Sequence, residues 1–150
     1  MDIDDYKNII AEVVDFEIEM STLVQSRKTL LELKEKREIL LEMKKDVAED
    51  IRSIELEYLK RRCNIRSQFE DEETSRITKF FSRSSSPSQM RARAMRHLES
   101  ERNTKLEAYE EIKFTTEDLI EQIEDVMVEV YTSMKNILGN VEIEMERSPT

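Results

Sequence analysis

One glycine in 150 residues narrows what this chain can fold into more than any other feature. Gly139 and the two prolines, Pro87 and Pro149, are nearly all its backbone punctuation. Hairpin turns draw on such residues for special backbone angles, so a sandwich or barrel with many hairpins is excluded. Dinucleotide-binding and P-loop folds need several glycines where backbone approaches phosphate, and they fall away too. Base-stacking modules are disfavoured because the chain has no Trp and only 6% aromatic residues. Charged residues make up 39% of the chain, and 34 acids against 24 bases give a formal charge of −10. The expected class is all-α: a long-helix bundle of about four to five helices over residues 1–139.

Single residues exclude further classes. Cys63 has no second cysteine to pair with, and Cys63 and His97 together cannot supply a Cys/His zinc site. No apolar run approaches the roughly 20 residues of a membrane span. The acidic start of the chain, with Asp2, Asp4 and Asp5, is the opposite of a signal peptide, so an intracellular protein is expected. The same three acids suit a helix N-terminus.

Apolar periodicity supplies the helices. Ile9, Val13, Phe16, Met20 and Leu23 recur at steps of four and three, which predicts a first helix through Leu23. A break is expected over 24–28. A long helix follows from about 30 to about 70, with Leu33, Leu40, Met43, Val47, Ile51, Ile54, Tyr58, Ile65 and Phe69 on one stripe. Arg37 and either Arg61 or Arg62 interrupt that stripe, so strict heptads fail there. Ile77 and Phe80 or Phe81 extend the inward face to a Ser/Pro loop near 82–88, where Ser86-Pro87 also offers a site for phosphorylation. Ser86 or Ser88 would cap the next helix, with Pro87 near its start.

The return segment carries Met90, Ala94, Leu98, Leu106, Tyr109 and Ile112. Thr115 with Asp118 resembles a capping box that restarts the pattern. A last helix then bears Ile123, Val126 and Val130 and ends with Gly139 at the position after its C-cap. Val141 to Met145 alternates apolar and polar residues, so an extended tail or linker is expected over 140–150.

No catalytic constellation emerges. His97 reads as a partly exposed helical residue, Cys63 as a small side chain beside the stripe, and the acidic pairs as solvated face. Charge distribution is more informative. Thr74 to Leu98 holds six bases (Arg76, Lys79, Arg83, Arg91, Arg93 and Arg96) and no acid, whereas Glu107 to Glu129 holds nine acids and the single Lys113. Three readings of the basic segment stay open: a nucleic-acid contact, docking on an acidic helix of a partner, and a solvated face with internal pairing. The net charge of −10 argues against duplex binding as the main work.

Over residues 49–114 the chain resembles the helical domain of the GINS family of DNA-replication factors. The residues that carry this are Ile54, then Arg61-Arg62-Cys63-Asn64-Ile65, Phe69, Arg76 and Phe80-Phe81. After the Pro87 loop come Met90-Arg91, Glu99, Glu101, Asn103, Lys105 and Tyr109. The likeness is nearest to the archaeal type, related to the eukaryotic first and fifth subunits. The N-terminal region lacks the Pro-rich stretch that often precedes the long helices. The resemblance implies a non-enzymatic scaffold without cofactors, assembling as a homotetramer or with a paralogue. It would bridge the MCM ring and a RecJ-like partner, bind DNA weakly or not at all, and carry a small β domain beyond the tail. Its place would be the cytoplasm, near the nucleoid, in an archaeon, or the nucleus in a eukaryote. Subunit and core packing would fall to Ile54, Tyr58, Ile65, Phe69, Ile77, Phe80, Ile123, Val126 and Val130. The rival expectation is a generic coiled-coil adaptor, and a third is a nucleic-acid-binding protein using the basic segment.

Overall fold

The computed structural model describes residues 1–75 and 87–147, with side chains over 1–69 and 87–140. It is all-α, with no strand among the described residues. Three helices follow in order: α1 (Ile3–Val14), α2 (Leu23–Ser75) and α3 (Pro87–Arg147). Three, not four to five, is the number over the described residues, because each expected restart is continuous helix. The segment 30–70 lies in one helix, and α3 runs unbroken through Thr115 and Thr116. Thr116 is buried mid-helix, where its Oγ1 donates to the Ile112 carbonyl at 2.7 Å. That local bond lets a hydroxyl sit inside a helix instead of capping one.

The two expected boundaries that move have physical causes. The first helix stops at Val14, well before Leu23. Thr22 then caps α2: its Oγ1 accepts from the Gln25 N–H at 3.1 Å, and its carbonyl from the Ser26 N–H at 2.9 Å. The expected break at 24–28 is therefore the first turn of α2. The extended tail is also corrected, since 140–147 belongs to α3. Gly139 has no positive φ and sits inside the helix. With no turn residue after it, the Glu- and Met-bearing sequence prolongs a helix already formed, and propagation costs far less than nucleation.

The chain divides into two compact units. Unit 1 comprises Met1–Asp46 and Ile112–Thr150, so it takes α1, the start of α2 and the second half of α3. A reciprocal capping box starts α1: Asp2 accepts from the Asp5 N–H at 2.9 Å, and Asp5 from the Asp2 N–H at 3.3 Å. The end of α1 is closed by Lys36, whose Nζ donates to the carbonyls of Glu12 (3.2 Å) and Val13 (3.1 Å). A cation there satisfies orphan carbonyls and meets the negative end of the helix dipole. The same ammonium lies 5.0 Å from the centre of the Phe16 ring. Thr29 Oγ1 donates to the Glu19 carbonyl at 2.6 Å and Ser133 Oγ to that of Met20 at 3.2 Å, which ties down the connection from α1 to α2. Tyr6, Leu40 and Val130 are 0% exposed, and Leu33, Met43, Ile112, Ile120 and Ile123 are buried with them.

Unit 2, Val47–Glu111, is built from the later part of α2 and the first part of α3. Pro87 occupies the first helical position of α3, where its missing N–H costs nothing. The two segments run antiparallel, since Glu55 pairs with Arg102 while Arg61 pairs with Glu101 and Glu57 with Lys105. The core is small. Ile54, Tyr58, Leu98 and Leu106 form its cluster, and Ile51, Ile65 and Tyr109 pack against it half-buried.

Candidate interaction surface

Seven of the nine residues expected to form core or subunit packing fall on described side chains. Ile54, Tyr58 and Phe69 of unit 2 are buried, and Ile65 is half-buried at the edge of the cluster. In unit 1, Ile123 and Val130 are buried and Val126 is half-buried. Ile77 and Phe80 lie outside the described residues. So do Arg76, Lys79 and Arg83 of the basic set. The remaining three lie on α3 of unit 2. Arg91 is half-buried, Arg93 is exposed, and Arg96 is exposed with its Nε donating to the Ala92 carbonyl at 3.2 Å.

The two arginines that interrupt the α2 stripe have a use that periodicity did not show. Within unit 1, Arg37 Nε donates to Glu124 at 3.1 Å. Within unit 2, Arg61 grips Glu101 through two parallel bonds of 3.1 Å each, the fork geometry of a guanidinium on a carboxylate. The Arg61 guanidinium also lies 5.0 Å from the centre of the Tyr58 ring. This hydrogen bonding holds the Glu101 carboxyl below the usual carboxylate range. Partial desolvation opposes the effect, while the Tyr58 hydroxyl and nearby His97 reinforce it. Arg61 is correspondingly raised, mainly by the Glu101 bond. The sequence signal for such links was an arginine at an apolar stripe position.

That cluster lines one groove of unit 2, of about 470 Å³, together with Glu57, Ser100 and Lys105. Cys63 is exposed and is not among the residues lining it. A second groove of about 400 Å³ has a different character. Leu59, Met95 and Leu98 give it an apolar floor, and Glu55, Arg62 and Arg102 give it charged rims. Leu59 and neighbouring Leu56 are both more than half exposed. Residues 58–69 and 87–98 of this unit hold seven Lys and Arg and no acid.

Unit 1 has the opposite balance. Residues 47–111 contain 13 bases and 13 acids, so the whole formal charge of −10 lies in residues 1–46 and 112–150. On α3 of unit 1, Phe114, Asp118, Glu121, Asp125 and Val128 follow at steps of 4, 3, 4 and 3, which makes one stripe. All five are exposed, the two apolar ends at 58% for Phe114 and 63% for Val128. Sequence reading counted these acids but missed the stripe, because burial had to be known before the outward face could be told from the inward one.

Comparison of the chain with family models, with curated proteins and with solved structures gives no match. Among the described residues, no group of His, Cys, Asp and Glu is arranged to hold a metal ion. No described helix is long and apolar enough to cross a membrane.

Proposed function

We propose that this chain is a non-enzymatic helical interaction module that works by associating with other protein chains, copies of itself included. The observation that carries the reading is the outward stripe from Phe114 to Val128. Three carboxylates lie there between two large apolar side chains, on a helix face that its own unit leaves uncovered. Conspicuous polar groups elsewhere, Arg61, Glu101 and Arg37 among them, are engaged in joining α2 to α3.

The narrower form of this reading is a GINS-type scaffold subunit of the replicative helicase complex, bridging MCM and a RecJ-like partner. Its support is the resemblance over 49–114, whose quoted residues include both Arg61 and Glu101, partners in the fork that joins the helices of unit 2. The mass by light scattering on a sizing column tests both forms. A discrete oligomer is expected, and four times the chain mass of 17.9 kDa with retention of purified MCM would favour the narrower one. A monomer that retains neither MCM nor a RecJ-like protein would contradict the scaffold, and with no self-association would contradict the module as well.

A further inference from the structure

Unit 1 carries the whole net charge of −10, and unit 2, neutral overall, gathers its bases over 58–69 and 87–98. In unit 2, Glu55, Leu59 and Arg62 line one side of the Leu59 groove at steps of 4 and 3, and Arg66 follows four residues further along α2. Met95, Leu98 and Arg102 line the other side, and Arg91 stands four residues before Met95 on α3. Glu55 and Arg102 pair at one end of the groove, at 3.5 Å. Beyond the other end of the groove come Arg66 and Arg91, with no acid in 58–69 or 87–98 before Glu70, Asp71, Glu72 and Glu73 follow in the sequence. In unit 1, the stripe on α3 places Asp118, Glu121 and Asp125 between two exposed apolar residues. At 1.5 Å per residue the stripe is about 21 Å long and the α2 rim of the groove about 16 Å.

We propose that the chain docks head to tail on a second copy of itself, the α3 stripe of one copy seated in the Leu59 groove of another. The proposal rests on the reading of the chain as an interaction module and names the surfaces it uses. With Val128 over Leu59 and Met95, Asp125 and Glu121 fall at the spacing of Arg62 and Arg66 and meet them and Arg91. A second copy is the occupant argued for because every copy carries both complementary surfaces. Like-to-like pairing of unit 1 would bring two charges of −10 together, so the contact joins unlike patches, the kind that closes into rings or grows into filaments. A nucleic-acid backbone fits the groove less well. Its phosphates would meet the apolar floor of Leu59, Met95 and Leu98, which an apolar end of the stripe can cover and a phosphate chain cannot.

Two charge-reversed variants test the pairing, with circular dichroism confirming that each keeps its helix content. Arg62→Glu with Arg66→Glu destroys the groove and leaves the stripe. Glu121→Lys with Asp125→Lys destroys the stripe and leaves the groove. In sedimentation at about 0.05 M salt, where exposed charges are lightly screened, the native chain is expected to self-associate. Each variant alone is expected to lose that association by at least ~100-fold. Mixed in equal amounts they are expected to form a species of two chains and nothing larger, because one intact stripe meets one intact groove. A mixture that stays at the mass of one chain, while the native protein associates, would overturn these surfaces and leave the interaction-module reading standing. A native chain that neither associates nor binds a partner would overturn both. A monomeric native chain that binds a short DNA duplex, and loses it in Arg62→Glu with Arg66→Glu, would assign the groove to nucleic acid and overturn the proposal.

Discussion

The two units share the same pair of helices yet are held together differently. Unit 1 buries ten of the sixteen core hydrophobic side chains found among the described residues, helped by α1 as a third element. Unit 2 buries six along a two-helix seam that carries the Arg61–Glu101 fork and the ion pairs of Arg102 and Lys105, whereas unit 1 adds the ion pairs Arg37–Glu124 and Lys44–Glu117 to its three-element core. Unit 1 also carries all the net charge, and unit 2 carries none. Hydrophobic burial scales with the area removed from water, and a two-helix seam has little area to remove. The difference teaches that helix continuity does not spread stability evenly. One element can be firmly anchored at one end and thinly supported at the other.

The largest effect should come from the three-element core of unit 1. Leu40→Ala, at a position with no exposure, is expected to cost about 4 kcal/mol in urea unfolding, near the upper part of the range for such changes. Leu106→Ala in unit 2 is expected to cost about 2 kcal/mol, because a seam between two helices closes more readily over a cavity. Equal losses would break the comparison. Lys36→Met leaves the α1 carbonyls without their cation and should cost about 1 kcal/mol, read as faster amide exchange in α1. Gly139→Ala should stabilise by about 1 kcal/mol, since a Cβ there meets nothing within 4 Å and the residue is helical.

The smallest effect concerns pH. The Glu101 carboxyl is lowered in the folded chain, so its contribution is present above the ordinary carboxylate value of about 4.3. That contribution fades as pH falls through the depressed folded value. Glu101→Gln should therefore narrow its difference from the native chain as the urea midpoint is followed from about pH 6 to about pH 2. A difference that stays constant would remove this link from the account of unit 2.

Much of the fold was legible in the residues. The long stripe from Leu33 to Phe69 is the inward side of α2, and scarcity of glycine pointed to long helices. What was not legible turns on context. Glu-Ile-Glu-Met occurs twice, at 17–20 and at 142–145. The first copy connects α1 to α2, and the second lies in α3. Periodicity read the first as helix and the second as strand, and both readings fail for the same reason. Thr22 caps a helix just after the first copy by accepting from the Gln25 N–H, and Lys36 closes α1 just before it. The second copy simply extends a helix already under way. Of the candidate surface, the charge imbalance was visible in the sequence. The Arg61–Glu101 fork and the outward stripe needed the pairing of α2 with α3 to be known.

The carboxylate stripe of unit 1 and the arginines of unit 2 are expected to drive this chain to associate. Sedimentation equilibrium of the native protein at about 0.05 M and about 0.5 M salt tests it most directly, because screening grows steeply over that interval. The account predicts a mass well above 17.9 kDa at low salt that falls toward it at high salt. A mass that is unchanged, or that rises with salt as purely apolar association would, contradicts it.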